Sequence, residues 1–484
     1  MLELKLSDKV NASLSAEWIN SSGKYKFRYR RVNPAGELAY DTTAVRQNGD
    51  INATRLEANL NGVVKSGQWH FKVYNYNSER GVPGAIVNNV WRRGERIWDT
   101  NSFAQVNYTQ TFGKFTTLNN LKYAFYRTHY VNNDDKQIKI DNLYKQKEVY
   151  FSSANEYVLF PWWHVSAAYD FQWNTLDADV YGFAQPDRFS NMLSVATAFD
   201  LGRLKAQASV LATFIHDSLK GQQSPSDKHV LTPAAFVSYT LVRGLSARAF
   251  YKQSYRMPTF NDLYYADMGN SKLNPERVTQ YNLGLLFSKR GGGLVSEMRF
   301  SGDAYYNYVK DKIVAYPKGQ QFRWTMLNLG VVKINGLDTK ADMSLSLPMR
   351  FVLRLRLNYT YQTAIDVTNP SDTYYRHQIP YIPWHSGSAV AGLDYGSRRG
   401  DHYGLNYSFI YVGERYGQQE NTVFNYVQPW YTHDLSLYGE WNIVQRHTLK
   451  LTLEVNNLLG QDYEVIQNYP MPKQNFRCTL AYRY

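Results

Sequence analysis

The chain has 484 residues, 44% of them hydrophobic and 15% aromatic, with 41 tyrosines and a formal net charge of +13. Mean hydropathy is -0.50, and no apolar run reaches the ~20 residues of a transmembrane helix, which excludes a helical membrane protein but not a barrel, where every second residue faces lipid. One cysteine, Cys478, excludes a disulfide framework and a Cys-based metal site; the ten histidines lack metal-ligand spacing, and the basic residues form no single stripe of the kind nucleic acid needs.

Taken in order, the predicted elements are all strands. A stub at 2–6 turns at 7–9, and further short turns are expected at 113–114, 161–162, 201–203, 243–244, 291–293, 348–349, 397–400 and 445–447. Between them lie long connections at 21–50, 78–100, 174–187, 258–275, 310–323, 366–383, 418–430 and 464–473. Alternating short turns and long loops is the asymmetry of an outer-membrane barrel, with the long loops extracellular. Two basic clusters, Lys24, Lys26, Arg28, Arg30 and Arg31, and then Arg92, Arg93 and Arg96, fall in the first two long loops, where they would meet lipid phosphates or attract an anionic ligand.

Period two is plainest in the later strands. Met298, Phe300, Gly302, Ala304, Tyr306 and Tyr308 oppose Glu297, Arg299, Ser301, Asp303 and Asn307; Leu353, Leu355, Leu357, Tyr359 and Tyr361 oppose Arg354, Arg356, Asn358, Thr360 and Gln362. Leu449, Leu451, Leu453 and Val455 likewise oppose Lys450, Thr452, Glu454 and Asn456, and the chain closes on Phe476, Cys478, Leu480, Tyr482 and Tyr484. A terminal aromatic on an alternating strand is an outer-membrane trait, and tyrosines at the ends of the apolar rows suit an interfacial girdle. The fold class that follows is all-β, a transmembrane antiparallel β-barrel of about 21 strands. Bacterial single-chain barrels have even counts, and large transporters have about 22, so one strand is expected to be missing ahead of Leu2.

Between the strands, SYRMPTFNDLYY (254–265) is followed by GNSKLNPERVTQYNLGLLF (269–287). Pro258 cannot donate to a ladder and should end the preceding strand at the rim; Gly269 and Asn270 suit a tight, left-handed turn, and Pro275 restarts an extended chain. Arg256 and Glu276 are placed to form an ion pair at the rim or in the lumen. This stretch resembles the signature of TonB-dependent outer-membrane receptors, an Arg-x-Pro-Thr-Phe-x-Asp-Leu run and a Gly-Asn-x-x-Leu-x-Pro-Glu loop, carried here by Arg256, Pro258, Thr259, Phe260, Asp262, Leu263, Gly269, Asn270, Leu273, Pro275 and Glu276. EVNNLLGQDYEV (454–465) and YPMPKQNFRCTLAYRY (469–484) resemble the family's last two strands. Within the family, YDTTAVRQNGD (40–50), SERGVPGAIVNNV (78–90) and YPMPKQNFR (469–477) look most like the cobalamin receptors of Bacteroidota.

The resemblance implies a receptor in the outer membrane of a Gram-negative bacterium, importing cobalamin, haem or a ferric siderophore. Its partners would be outer-membrane lipid, TonB–ExbB–ExbD acting through a plug, and a surface lipoprotein. Family members begin with a signal peptide, a TonB-contacting segment and a plug; MLELKLSDKV has none of these features, so residues 1–484 are expected to be the barrel portion alone. Candidate ligand contacts are rim aromatics, which offer a planar macrocycle large contact area at low entropic cost: Trp91, Trp98, Tyr264, Tyr265, Trp324, Tyr375, Tyr426 and Trp430. The alternative within the same architecture is a passive channel or structural barrel. A secreted β-rich glycosidase would need paired carboxylates, and Asp262, Asp267, Glu297 and Asp303 sit in no motif with a nucleophile or positioned partner. No catalytic residue, metal or cofactor is proposed.

Overall fold

The structure is a computed structural model that describes residues 2–32, 37–87, 94–133, 139–265, 268–318, 323–444 and 447–483. Alternating sequence becomes one 21-stranded antiparallel sheet in which each strand pairs with its neighbours in the ladder. The ladder runs from Leu2–Ser7, paired with Val10–Ser21, to Asn475–Arg483, paired with His447–Asn456.

Residues opposite each other across a ladder share a face, so the registers sort the side chains into two surfaces. On one, Leu283 pairs with Ala304, Ala304 with Leu337, and Leu337 with Tyr361. These side chains have no core to enter: Leu283 is 66% exposed and Leu231 67%, as expected of a face that meets acyl chains. The other surface is polar and carries cross-strand ion pairs, among them Lys72–Glu57 at 2.9 Å, Lys122–Glu148 at 3.0 Å, Arg356–Asp342 at 2.7 Å and the Arg248–Asp303 pair. A polar face of this kind is the one that lines the interior of an outer-membrane barrel.

Connections alternate between short and long, save that the link between Lys318 and Arg323 is as short as the turns at the opposite end. Tight turns such as Gly113–Lys114 and Gly202–Arg203, with both glycines at positive φ, face one end, and the longer loops face the other. The turn at 65–66 and the connections between Asn132 and Ile140 and between Ser218 and Lys228 are additions to the expected set; the last carries Gly221, at positive φ, and Pro225, which are turn signals. The loop expected at 310–323 is a correction. Val295–Lys318 and Arg323–Ser346 are instead strands of 24 residues each, since Asp311 absorbs the irregularity at φ 53° while the ladder resumes with Lys312 opposite Leu329. Both basic clusters are also more ordered than expected: Lys26–Val32 pairs with Leu38–Val45, and Arg96 lies in the strand Glu95–Phe112, bound to Asp50 and Glu79; Arg92 and Arg93 lie outside the described residues.

Buried apolar clusters occur at the long-loop end. Val309, Leu329, Val332, Ala364 and Ile379 form one, Phe27, Tyr29, Ala44 and Ile86 another. Loops from the two ends of the chain meet there: Tyr25 donates its hydroxyl to the Pro470 carbonyl at 2.7 Å, and the Ile86 amide donates to the Asn468 carbonyl at 2.9 Å. The sheet therefore curls until its first and last loops touch.

Candidate functional site

The site is built on the loop between Leu245–Arg256 and Glu276–Arg290. Pro258 ends the incoming strand, and Thr259 caps the single helical turn Phe260–Tyr264: its hydroxyl accepts from the Asp262 amide at 3.2 Å while Asp262 accepts from the Thr259 amide at 2.9 Å. This reciprocal capping box satisfies two amides that a helix start would leave open. Asp262 also binds Arg256, at 3.3 Å.

The expected Arg256–Glu276 pair is therefore corrected. The two residues are opposite in the ladder, but Glu276 is buried and accepts from the Ile313 amide at 3.0 Å and from Lys312 at 3.3 Å. The reason is hydrogen bonding: a buried carboxylate needs several donors, and the adjacent hairpin offers a backbone N–H beside an ammonium. The expected left-handed turn at Gly269 and Asn270 is also corrected, since neither has positive φ. Gly269 is required by close approach instead. A Cβ there would sit 2.7 Å from the Tyr265 carbonyl oxygen and 2.8 Å from the Leu263 carbonyl. Asn270 donates to the Met326 carbonyl at 3.0 Å, tying the loop to the long hairpin, and Leu273 packs with Leu263 and Ile313.

Two residues that the sequence did not single out hold this loop down. Arg188 and Asp217, opposite each other in the ladder, form a two-bond ion pair at 2.7 and 2.8 Å with side chains 9% and 4% exposed. Arg188 also donates to the Pro258 carbonyl at 2.7 Å and lies 5.0 Å above the Phe260 ring. Once the Gly202–Arg203 turn is fixed, the register alone places 188 opposite 217, which is the signal that could have found them.

The predicted aromatics divide. Tyr265 stacks on Tyr144 at 4.3 Å, and Tyr264 packs on Phe260 and Phe183; burial pushes both phenols above their ordinary range. The Met326 amide donates to the Met268 carbonyl, carrying the arrangement to Trp324, which lies 6.4 Å from Tyr381. The Tyr381 amide donates to the Tyr416 carbonyl at 2.7 Å, and Tyr416 packs edge-on against Tyr426. Burial pushes the Tyr381 phenol up to about 12. Trp430 packs at a tilt against Tyr463, ring centroids 4.8 Å apart. Tyr375 stands apart in the loop at 367–384, where its amide donates to the Asp372 carbonyl. Trp98 shares a face with the exposed Val106 and stacks on His129, so it belongs to the outward girdle. Trp91 lies outside the described residues.

The loops carrying Tyr426 and Trp430 are clamped by Arg415, another residue not anticipated. Buried in the hairpin Arg415–Tyr416 with Tyr426–Val427, it donates to the carbonyls of Gly413, Gln428, Glu464 and Val465 at 2.7 to 3.3 Å. Asn457, buried at φ 49°, binds the Asp434 carboxylate through its amide and Gln461 through its side chain, so the NNLLG stretch turns the last loop. The carboxylates weighed for hydrolysis are spoken for: Asp262 caps the helix, Asp303 binds Arg248 and Glu297 binds Arg290; Asp267 lies outside the described residues.

Residues 3–458 match the family described as TonB dependent receptor-like, beta-barrel. Among curated proteins, the chain is 22% identical over 342 residues to the vitamin B12 transporter BtuB of Vibrio vulnificus, covering 69% of this chain and 49% of that protein. It is 23% identical over 254 residues to BtuB of Photobacterium profundum, covering 51% and 37%. The chain thus spans about half the length of the curated relatives it matches. Among solved structures it resembles the FrpB iron transporter of Neisseria meningitidis (F3-3 variant; TM-score 0.72, 12% identity, 99% of this chain and 78% of that one). It also resembles BauA, the ferric preacinetobactin receptor of Acinetobacter baumannii (TM-score 0.71, 12% identity, 99% and 80%). At these identities the structural likenesses speak to the fold alone.

Proposed function

The chain belongs to the TonB-dependent receptor-like β-barrel family, and on that premise we propose that it captures a scarce nutrient, cobalamin, haem or a ferric siderophore, at the mouth of an outer-membrane barrel. The family is one of receptors and transporters, not enzymes. One observation supports the proposal: Tyr265, Trp324, Tyr381, Tyr416 and Tyr426 are linked in sequence across the long-loop end by tilted and edge-on ring packing and by backbone hydrogen bonds, with Tyr265 itself stacked on Tyr144. Aromatics held by their neighbours give up little entropy when a flat, rigid ligand settles on them. Cobalamin is the first ligand to test, because the curated relatives are vitamin B12 transporters. In the intact receptor, TonB–ExbB–ExbD supplies energy through a plug, and a surface lipoprotein assists capture.

The test is a tryptophan-fluorescence titration of the refolded barrel with cyanocobalamin, haemin and a ferric siderophore. Saturable quenching by one of them, weakened about tenfold by Trp324→Ala or Tyr426→Ala and unchanged by Trp98→Ala, is expected; tenfold is ~1.4 kcal/mol, within the range of a stacked aromatic contact. No saturable quenching by any of the three would remove the capture reading and favour a passive barrel.

A further inference from the structure

Resting on the barrel reading above, we infer that the outward face of the five strands between Lys228 and Ser346 binds a phosphate-bearing acyl lipid, the chemistry that lipid A presents in the outer leaflet. Three layers on that face carry the inference. The first is a row of tyrosines running across three strands, Tyr251, Tyr281 and Tyr306, with ring centroids 5.3 and 6.3 Å apart. Such a row marks the headgroup level of a barrel.

On the short-turn side of the row lies the second layer, an apolar groove of about 610 Å³. Its floor is low because Ala235, Ala249 and Ala304 stand where neighbouring strands carry larger residues, and its walls are Val237, Leu283 and the tyrosines themselves. This is the acyl side. On the long-loop side is the third layer, which is basic: Tyr308 pairs with Lys333, and Arg277 pairs with Lys310. At about 3.4 Å per residue these rows stand roughly 7 and 14 Å beyond Tyr306.

The three cations are exposed, and among the described residues none has a carboxylate within ion-pair distance. Arg277 lies 5.8 Å over the Tyr255 ring and Lys310 5.8 Å over the Tyr308 ring, which holds both along the barrel wall rather than out in solvent. The paired rows from Tyr255 to Val331 and from Gln253 to Ile365 contain no acidic residue. A lone positive patch at the outer headgroup level, continuous with an apolar groove below it, complements a lipid whose anionic and acyl parts are joined. It does not complement a free anion, which would leave the groove empty.

The experiment is native mass spectrometry of the refolded full chain in an uncharged detergent, titrated with bisphosphorylated lipid A and with the same lipid dephosphorylated. Arg277→Gln/Lys310→Gln/Lys333→Gln should weaken binding of the phosphorylated lipid on the order of 100-fold, the surface contribution of three basic residues. Ala304→Trp, which fills the groove and keeps every charge, should weaken it at least about tenfold, the loss of about two buried methylenes. Equal binding by wild type and triple variant, or displacement of the lipid by millimolar inorganic phosphate, overturns the site. A wild-type chain with no heat-modifiable band overturns the barrel reading and the site with it; a heat-modifiable barrel that binds both lipids alike overturns the site alone.

Discussion

Asp217→Ala tests the idea that the motif loop stands on a buried ion pair. The substitution removes the two carboxylate oxygens that accept from Arg188 at 2.7 and 2.8 Å and leaves a guanidinium that is 9% exposed without its carboxylate. Breaking one partner of a buried pair costs about 3–5 kcal/mol. The lower end applies, about 3 kcal/mol, because Arg188 keeps the Pro258 carbonyl at 2.7 Å and the Phe260 face at 5.0 Å. Urea unfolding of the refolded barrel in detergent, followed by tryptophan fluorescence, measures the global loss; limited proteolysis at 257–275 shows whether it is concentrated there. Arg188→Met/Asp217→Leu removes both charges and should recover to within about 1 kcal/mol of wild type. If Asp217→Ala alone lies within about 0.5 kcal/mol of wild type, the value of a surface change, the pair does not hold the loop and the argument fails.

Gly269→Ala should cost about 1–3 kcal/mol, an overpacking penalty, because every atom the new Cβ meets within 2.8 Å is backbone; faster nicking at 257–275 in the variant checks it. Arg415→Met strips one donor group from four carbonyls and should cost at least about 2 kcal/mol, read as faster amide exchange across 457–474. Arg28 holds the Asp41 carboxyl below its ordinary range, mainly by hydrogen bonding. A depressed native value means that the pair's contribution is complete above the unfolded pKa of about 3.9 and is lost as pH falls through the native one. Amide protection in 26–45, taken relative to the intrinsic exchange rate at each pH, should therefore be the same at pH 7 and pH 5 and fall only below the usual carboxylate range; a fall already at pH 5 would contradict the pairing.

Much of the fold was legible because a lipid-facing strand has little freedom: the row from Leu353 to Tyr361 reads in one way only, and tight turns at Gly113 and Gly202 announce themselves. What was hidden depends on pairing. Arg188, Asp217, Arg415 and Tyr144 are separated in sequence from what they hold, and a lone charged or aromatic residue in a strand gives no hint of burial. Arg256 and Glu276 show the same limit from the other side. Their opposition in the ladder was foreseeable, yet each found better donors or acceptors in a loop or hairpin whose position depends on the whole rim. Lys310, Asp311 and Lys312 looked like a loop because charge clusters usually are, and one residue at φ 53° was enough to keep them in a strand.

The distribution of burial gives this architecture its division of labour. Wall strands hold one another through ladder hydrogen bonds and cross-strand pairs, and their apolar side chains face outward, so the wall needs no packed core. The loops cannot do this. Each has to bury something of its own, and they do so in clusters of three to five residues around Val332, Phe27, Phe260 and Leu263. A substitution in one cluster should therefore loosen the aromatics it supports while leaving the wall intact. The capping box at Thr259, the Arg188 anchor and the Arg415 clamp are conditions for a rigid mouth, and the ligand contacts between them can change without cost to the barrel.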